Sequence, residues 1–509
     1  MNRESRTAKS IKNSSVALAM FFGNFVLQFF SRKIFLDYLG TEVLGLNTMA
    51  TNLLQFLNLA ELGIGIAVGF SLYKPFYDHD TQTINEIVAL QRLLYRRIAY
   101  IVIAGAVVLM CFFPWIFGKM ALPLWYAYAS FGVLLFSALL SYFVNYKQIL
   151  LSADQKEYKI RYSYSLVMLM KVLVQIVAIS YLEDKYVWWL ILEILFTIIA
   201  SYALNRIVNR TFPFISSSNL SLKELNEKYP TIQAKIKQVF VHKISFFVLT
   251  QTSPLIIYAF LSLAVVTLYG NYMLITFGLT SLIGALMDGQ IASIGNLIAE
   301  GNDKKIMSVF DELFSIRFFV AVVICYGMVT LAQPFIALWI GKDYLLPTST
   351  LIIITSILYI NLSRKAVEAY INAYGFYSDI YAPVIEAILN ICLSISLGCF
   401  FGLNGILLGV LISLLIVICG WKPIFLFCVN LRHGYVRYVK NYLKHMLLTS
   451  IVSIGSYHLQ QVLLVEPIES WGQLLLYGGV NIIVFSTLLL LVFCLFGCGI
   501  KTTLKRLIC

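Results

Sequence analysis

Apolar segments long enough to cross a lipid bilayer recur along the whole chain of 509 residues. A transmembrane helix needs about 20 mostly apolar residues to span a hydrocarbon core about 30 Å thick. Of the residues, 60% are hydrophobic and only 12% are charged, whereas an average soluble domain is about 25% charged. The apolar segments are too long for the strands of a membrane barrel. The sequence therefore predicts an all-α polytopic membrane protein.

We predict fourteen transmembrane helices from these segments. Their expected bounds are 13–37, 43–71, 96–118, 122–150, 161–182, 186–207, 238–261, 265–292, 315–340, 347–375, 378–401, 403–427, 445–465 and 472–497. The polar, basic start "MNRESRTAKSIKNSS" leads directly into the first span, so no cleaved signal peptide is predicted there.

The distribution of basic residues predicts the orientation of the helices. Most of the 38 Lys and Arg residues lie in the N-terminal segment, the C-terminal tail and alternate loops. The opposite loops contribute only Lys119, Lys185 and Lys342. Positively charged loops stay on the cytoplasmic side, so both termini are expected in the cytoplasm. The net charge of +13 then reflects basic loops that face an anionic cytoplasmic leaflet. No nucleic acid is expected as a partner.

An internal repeat divides most of the chain into two similar halves. The stretch "FFPWIFG" (112–118) aligns with "AQPFIAL" (332–338) at a shift of 220 residues. At the same shift, four polar residues of the fourth span fall on four polar residues of the tenth: Ser141, Asn145, Gln148 and Ser152 on Asn361, Lys365, Glu368 and Asn372. Six helices per repeat is an even number, so the repeats are parallel and related by an axis along the membrane normal.

Four regions follow from the repeat. They are an N-terminal six-helix lobe (1–207), a cytoplasmic linker (208–237), a C-terminal six-helix lobe (238–427), and two additional C-terminal transmembrane helices with a cytoplasmic tail (428–509). Within the linker, Ser221 and Glu224 have the spacing of a capping box. They predict a short helix that ends near Pro230.

Charged residues interrupt the tenth span, in "NLSRKAVEAYINAYG" (361–375). An ionised group at the bilayer centre costs about 2.5–3.5 kcal/mol and normally faces protein or water. Glu368 lies four residues after Arg364 and three after Lys365, so it can pair with only part of their positive charge. The other cation is available to an anion. A packing ion pair between Arg364 and Glu368 is the structural alternative.

Other spans carry further polar groups. Lys171 and Gln175 lie near mid-depth of the fifth span, and Lys171 has no obvious partner in the sequence. Glu193 of the sixth span is interpreted as a member of a structural pair, and Arg32 lies in the outer third of the first span. The inner halves of other spans hold Asp288 and Glu386. A polar face is predicted for Asn47, Thr51, Gln55, Asn58 and Glu61 of the second span and for Asn145, Gln148, Asn361 and Asn372 of the repeat. We interpret these groups as the wall of a water-filled cavity shared by the lobes.

Catalytic motifs are scarce. The sequence contains no GxxxxGK[ST] phosphate loop, no HExxH pair and no cluster among its five His and nine Cys residues. A membrane polymerase or glycosyltransferase would require a sizeable loop with catalytic groups, and the predicted outer loops are short. We therefore predict no enzymatic activity, no cofactor and no metal site.

Two stretches resemble a known family. They are "YLGTEVLGLNTMATNLLQFLNLAELGIGIAVGFSLYKPF" (38–76) and "NAYGFYSDIYAPVI" (372–385). Both are similar to bacterial polysaccharide flippases of the Wzx type, in the multidrug/oligosaccharidyl-lipid/polysaccharide exporter superfamily. The resemblance implies a two-lobed bundle with a cationic cavity that moves undecaprenyl-pyrophosphate-linked oligosaccharides from the cytoplasmic to the periplasmic leaflet. It implies roles in O-antigen or lipopolysaccharide synthesis, in the bacterial inner membrane, with a polysaccharide polymerase as a functional partner.

Site roles combine this resemblance with the charges. We expect the pyrophosphate and sugar to be bound by Arg364, Lys365, Lys171, Arg32 and Gln175. Coupling to H⁺ or Na⁺, or gating during alternating access, is expected at Glu61, Asp288, Glu368 and Glu386. Two alternatives share the fold: a cation-coupled multidrug antiporter, which would favour negative charge at mid-depth, and a lipid II flippase.

Overall fold

A computed structural model describes residues 6–500 apart from 62, 217–219, 288–290, 377, 380 and 464–467. The described residues form helices and connecting turns and contain no strand. The helices up to the linker are α1 (Arg6–Leu57), α2 (Ile64–Asp78), α3 (Thr81–Cys111), α4 (Phe113–Ile116), α5 (Trp125–Phe143), α6 (Ile149–Ala153), α7 (Glu157–Ile160), α8 (Leu166–Tyr181) and α9 (Lys185–Thr211). Those that follow are α10 (Leu222–Lys228), α11 (Pro230–Phe260), α12 (Leu263–Met287), α13 (Ile291–Ala299), α14 (Asp303–Trp339), α15 (Thr348–Ser363), α16 (Lys365–Tyr374), α17 (Tyr381–Leu414), α18 (Lys422–Ile424), α19 (Tyr435–Leu463) and α20 (Trp471–Leu495).

Ten helical segments in the described part of the chain are long and apolar enough to cross a membrane. Two of these segments each cover residues of two predicted spans: α1 bends at Gly40 (φ 81°) and reaches into the second predicted span as far as Leu57, and α17 bends at Gly402 (φ 54°), between the eleventh and twelfth predicted spans. Glycine adopts such positive φ angles without a steric penalty. The prediction of an all-α, multi-pass membrane protein is confirmed, while the number fourteen stays a prediction.

The chain separates into two compact units, Met1–Thr267 (unit 1) and Leu268–Cys509 (unit 2). The first unit includes α10, whose capping box is formed as predicted: the Glu224 carboxylate accepts the backbone N–H of Ser221 at 2.6 Å. That hydrogen bond holds the pKa of Glu224 below its ordinary value. The contact boundary thus falls after the predicted linker, and the four predicted regions stay a prediction.

Helix breaks recur at equivalent repeat positions in the two units. In the fourth predicted span, α5 ends at Phe143 and a 3-10 turn follows at Asn145–Gln148. In the tenth, α15 ends at Ser363 and α16 begins after Arg364. Positions 143 and 363 differ by 220 residues, the shift found in the sequence. The two units therefore share a local irregularity of the helix, which we call a helix break, as well as a polar pattern.

Helix starts are also repeated. The Asp80 side chain accepts the backbone N–H of Thr83 at the start of α3. The Asn302 side chain accepts the backbone N–H of Lys305 at the start of α14. Asp and Asn are among the strongest N-cap residues because their side-chain oxygens satisfy N–H groups left free at a helix start. These caps lie 222 positions apart and support the predicted repeat.

The cores of the two units differ in composition. Aliphatic side chains dominate the larger core of unit 1, where Leu72, Leu90 and Leu225 are fully buried. The core of unit 2 is rich in aromatic side chains, and α20 contributes Phe485 and Phe493, also fully buried. Although the last two helices lie outside the sequence repeat, α20 is therefore part of the packed core of unit 2.

A close helix crossing within α17 depends on two glycines. A Cβ atom at Gly405 would overlap the carbonyl oxygen of Leu397, and one at Gly409 would overlap the backbone of Ser394. Small residues four positions apart allow transmembrane helices to approach this closely.

We expect Gly405→Val to lower the yield of folded protein severely, because the overlap with Leu397 is with backbone and cannot be relieved by a side-chain rotation. Gly455→Val is the matched control, since no atom lies within 4 Å of a Cβ placed there. The measurement is the fraction of each variant that elutes as a single peak in detergent size-exclusion chromatography. Equal folded yields for the two variants would contradict the prediction.

Candidate functional site

A charged cluster surrounds the helix break of the tenth span, in unit 2. We define the charged cluster as Arg364, Lys365, Glu368, Asp379, Glu386 and Lys422. Glu368 lies 3.2 Å from Arg364 Nε and 3.4 Å from Lys365 Nζ. The side chains of Arg364 and Glu368 are 22% and 24% exposed, and that of Lys365 is 40% exposed. The predicted sharing of one carboxylate by two cations is confirmed.

The contact between Arg364 and Glu368 is an ion pair without hydrogen-bond alignment. Arg364 Nε is buried and has no hydrogen-bond partner. A buried guanidinium N–H that lacks an acceptor is unfavourable, so Arg364 retains a donor for a further anionic oxygen. The backbone of Arg364 keeps helical angles (φ −58°, ψ −24°), and its N–H still bonds the Ile360 carbonyl at 3.0 Å, so this group lies at a local irregularity within one span.

A second ion pair belongs to the same cluster and was not predicted. Lys422 Nζ donates to Asp379 Oδ2 at 2.7 Å, and both side chains are at most 15% exposed. The sequence contained a signal for Lys422, since it is a cation within the predicted twelfth span. Asp379 was less visible because it lies at the edge of the eleventh.

Glu386 completes the charged cluster. It is 3% exposed, and its Oε1 has no hydrogen-bond partner. It interacts electrostatically with Arg364, Glu368 and Lys422. With all groups ionised, the three cations are balanced by three carboxylates. The expectation of one unbalanced cation therefore requires a correction: it holds only when one of these carboxyl groups carries a proton.

Lys171 has a partner that is remote in sequence. Its Nζ donates to Glu193 Oε1 at 2.5 Å, and Gln175 Nε2 donates to Glu193 Oε2 at 2.9 Å. The Lys171 and Glu193 side chains are only 11% and 10% exposed. The interpretation of Lys171 as a cation without an obvious partner was wrong, because packing of α8 against α9 brings the two helices' charges together.

Arg32 is engaged within unit 1. Its guanidinium donates to the backbone oxygen of Thr267 at 3.2 Å, and the Thr267 hydroxyl donates to the Thr41 carbonyl at 2.8 Å. These bonds attach the first part of α12 to α1. The predicted contact between Arg32 and a substrate stays a prediction.

The polar stripe of the second span is largely bonded to neighbouring helices. Asn47 accepts from Ser130, Asn58 accepts from Tyr142 at 2.8 Å, and Glu61 accepts from Tyr95 at 2.9 Å. Between them, the Thr51 hydroxyl bonds the Asn47 carbonyl at 2.8 Å and is exposed, and Gln55 is half-buried. Three members of the stripe thus hold the bundle together, and the middle of the stripe is accessible.

The polar residues of the fourth and tenth spans also divide into a buried, hydrogen-bonded group and a more accessible group. Asn145 is 3% exposed and pairs with Ser201 at 3.0 Å and Asn205 at 3.2 Å. Its packing is therefore inside unit 1 and not on an open face. Two others, Gln148 and Asn361, are half-buried and Asn372 is exposed. Asp288 lies outside the described residues.

The described residues contain no group of three or more His, Cys, Asp or Glu side chains placed to hold a metal ion. What the charged cluster can do is electrostatic. Its arginine and lysines can bind phosphate oxygens, and its carboxylates can compete for the same cations or accept protons.

Solved structures share this fold. The chain matches a structure described as the lipid II flippase MurJ in an inward closed conformation with a TM-score of 0.60, at 16% identity over 93% of this chain and 98% of that one. It matches an inward-facing multidrug resistance MATE transporter of the MOP superfamily with a TM-score of 0.58, at 16% identity over 81% and 98%. A MOP superfamily transporter from Pyrococcus furiosus, described as having a binding pocket of reverse polarity, gives 0.50 at 15% identity over 84% and 97%.

At these identities the likeness establishes the fold alone, which the chain shares with these solved structures. No protein-family model matches the sequence, and comparison with curated proteins gives no match.

Proposed function

We propose that this chain is a flippase that moves an undecaprenyl-pyrophosphate-linked oligosaccharide from the cytoplasmic to the periplasmic leaflet of a bacterial inner membrane, by alternating access. In this proposal both termini are cytoplasmic, the protein is a transporter without enzymatic activity, and a polysaccharide polymerase receives the product for O-antigen or a related polymer. The fold, shared with a lipid II flippase and with multidrug transporters, supports a transported substrate.

The observation that carries the proposal is the charged cluster. Three cations meet in a membrane-spanning region, where each unneeded charge is costly. Arg364 offers a buried donor without a partner, and a guanidinium matches the geometry of phosphate oxygens. A pyrophosphate group would replace Glu368 as the partner of Arg364 and Lys365, and Lys422 would add a further cation.

Lys171 and Gln175 form a second proposed contact, with Arg32 as an outer one. In the structure Glu193 accepts hydrogen bonds from both Lys171 and Gln175. We propose that such carboxylates act as gates, which release their cations when the pyrophosphate binds and recapture them when it leaves.

The experiment that tests the function is transfer of a purified lipid-linked oligosaccharide across proteoliposomes that contain the full chain. Accessibility of the sugar to an external glycosidase reports its leaflet. We expect transfer of the oligosaccharide to depend on protein and on the pyrophosphate group. Efflux of cationic drugs without any transfer of lipid-linked sugar would favour the multidrug alternative.

Lipid II is the second candidate substrate, because the structural match to the lipid II flippase covers nearly the full length of both chains. Both substrates carry the same lipid pyrophosphate, so the charged cluster would serve either. Competition between lipid II and the lipid-linked oligosaccharide in the same proteoliposomes measures the preference. We expect the oligosaccharide to be preferred, and preferential transfer of lipid II would overturn the proposed substrate.

Coupling to H⁺ or Na⁺ is proposed at Glu386, with Glu61, Glu368 and Asp288 as further candidates. A proton on Glu386 changes the charged cluster from electrically neutral to a net charge of +1, which favours binding of an anion. Loss of that proton would weaken the anion's hold and promote its release.

We therefore expect Glu386→Gln to abolish the stimulation of transfer by an imposed pH gradient, because glutamine is permanently neutral at that position. Transfer without a gradient should persist, since Arg364 and Lys422 remain. Glu469→Gln, at an exposed position just before α20, is the control and should respond to the gradient as the unmodified protein does. Full gradient stimulation in Glu386→Gln would exclude Glu386 as the coupling group, and replacing the pH gradient by a Na⁺ gradient identifies the ion.

A further inference from the structure

A small basic pocket lies in unit 1. None of the predicted site residues lines it, although two of its residues belong to the same 3-10 turn as the predicted Asn145 and Gln148. It forms where α3, the 3-10 turn Asn145–Gln148 and the segment after α9 meet. Its volume is about 90 Å³, enough for a few water molecules or one phosphate-sized group. Arg92, Tyr146, Lys147 and Ser216 supply polar walls around Val88 and Ala89, which are both 4% exposed.

The pocket contains two cations and no carboxylate. Neither Arg92 nor Lys147 forms an ion pair in the described structure. Arg92 Nε is buried without a hydrogen-bond partner, and the guanidinium interacts with the Tyr146 hydroxyl. The buried acid nearest in sequence on the same helix, Glu86, is already bound by Lys228 at 2.6 Å and by Tyr229 at 2.5 Å. Among the described residues, therefore, no carboxylate forms an ion pair with either of the two cations of this pocket.

The walls are held in place by other residues. The Asn85 side chain donates to the Phe214 carbonyl at 3.2 Å and accepts the backbone N–H of Ser216 at 3.1 Å, which fixes the segment after α9 against α3. The 3-10 turn is anchored by Asn145, which bonds Ser201 and Asn205 of α9. Lys147 therefore projects from a fixed turn. Simple snorkelling of a lysine towards a membrane surface explains neither the unpartnered Arg92 donor nor the fixed loop.

We propose that this pocket binds a phosphate group that belongs to an anionic lipid head group or to a soluble phosphate compound. A guanidinium and an ammonium that converge beside hydroxyl groups form the usual donor set for phosphate oxygens. Basic pockets between transmembrane helices on the cytoplasmic side bind anionic lipid head groups, and most of the basic residues here are predicted to face that side. The site is separate from the charged cluster and is independent of the transported substrate.

The experiment measures ligand-induced thermal stabilisation of the purified full chain. The probes are phosphatidylglycerol added to phosphatidylcholine micelles, phosphatidylcholine alone, and inorganic pyrophosphate. The variants are Arg92→Gln, Lys147→Gln and the double variant. Arg97→Gln is the matched control, because Arg97 is an exposed arginine on the same helix outside the pocket.

We expect phosphatidylglycerol, pyrophosphate or both to raise the melting temperature of the unmodified protein and of Arg97→Gln. Each pocket substitution should weaken the apparent affinity about tenfold, since each removes one charge-assisted contact. A lipid response that the pocket substitutions weaken identifies a head-group site, and a pyrophosphate response that they weaken identifies a soluble ligand; both support the proposal. A pyrophosphate response that the pocket substitutions leave unchanged belongs to the charged cluster and counts against the pocket.

Equal responses of Arg97→Gln and of the pocket variants to the probes would overturn the proposal, as would the absence of any response in the unmodified protein. If Arg92→Gln fails to fold, Lys147→Gln and the charge-preserving Arg92→Lys carry the test. Native mass spectrometry of the number of bound lipids gives an independent readout that a purely structural role of Arg92 would not change.

Discussion

Replacing Arg364 and Lys365 together with glutamine is expected to abolish transfer of lipid-linked oligosaccharide, with a loss of about 100-fold or more. Each charge-assisted hydrogen bond contributes about 1.5–3 kcal/mol, and about 1.4 kcal/mol corresponds to a tenfold change. Both residues lie at a helix break within a membrane-spanning segment and share one carboxylate. The measurement is the initial rate of transfer in proteoliposomes at matched amounts of protein.

Two controls separate loss of binding from loss of structure. The double variant leaves Glu368 without its cations, so the triple variant that adds Glu368→Gln removes the orphaned charge and should restore folding without restoring transfer. Replacing the exposed Lys119 and Lys342 by glutamine removes the same amount of charge elsewhere and should leave transfer unchanged. Normal transfer by the folded triple variant would show that Arg364 and Glu368 form only a packing ion pair.

Glu193→Gln is expected to destabilise unit 1 by about 3–5 kcal/mol, the typical effect of leaving one charge of a buried pair without its partner. Lys171 is 11% exposed and would lose its counter-charge. Glutamine has one acceptor oxygen where Glu193 has two, so it can accept from Lys171 or from Gln175 but not from both. The variant should show a lower melting temperature in detergent and a reduced folded yield.

The double variant Lys171→Gln with Glu193→Gln should recover most of this stability, because neither charge then remains buried. The sum of the single effects should exceed the effect of the double variant by at least about 1 kcal/mol, as expected for residues in direct contact. Simple additivity would contradict the ion pair. Transfer at the unmodified rate in the double variant would confine Lys171 to a structural role and would contradict its proposed contact with pyrophosphate.

The membrane class, the helical fold and the repeat could be predicted because they depend on local or periodic properties. Segments about 20 residues long and apolar must form helices in lipid, where every backbone group needs a partner. The shift of 220 residues was visible in the aligned polar residues of the fourth and tenth spans. The same shift separates the helix breaks after Phe143 and Ser363. The Arg364–Glu368 contact was predictable for the same reason, since residues four apart on a helix are neighbours.

Only the tertiary structure decided how distant charges are paired. Spacing within one helix says nothing about the neighbouring helix, so the pairs Lys171–Glu193 and Lys422–Asp379 required packing of α8 on α9 and of the segments around α17. Packing also determined which polar residues are enclosed, as for Asn145. The sequence by itself determined where charges lie along the helices. Their partners depend on contacts between helices, because Coulomb attraction and desolvation favour particular pairs only once the helices are packed together.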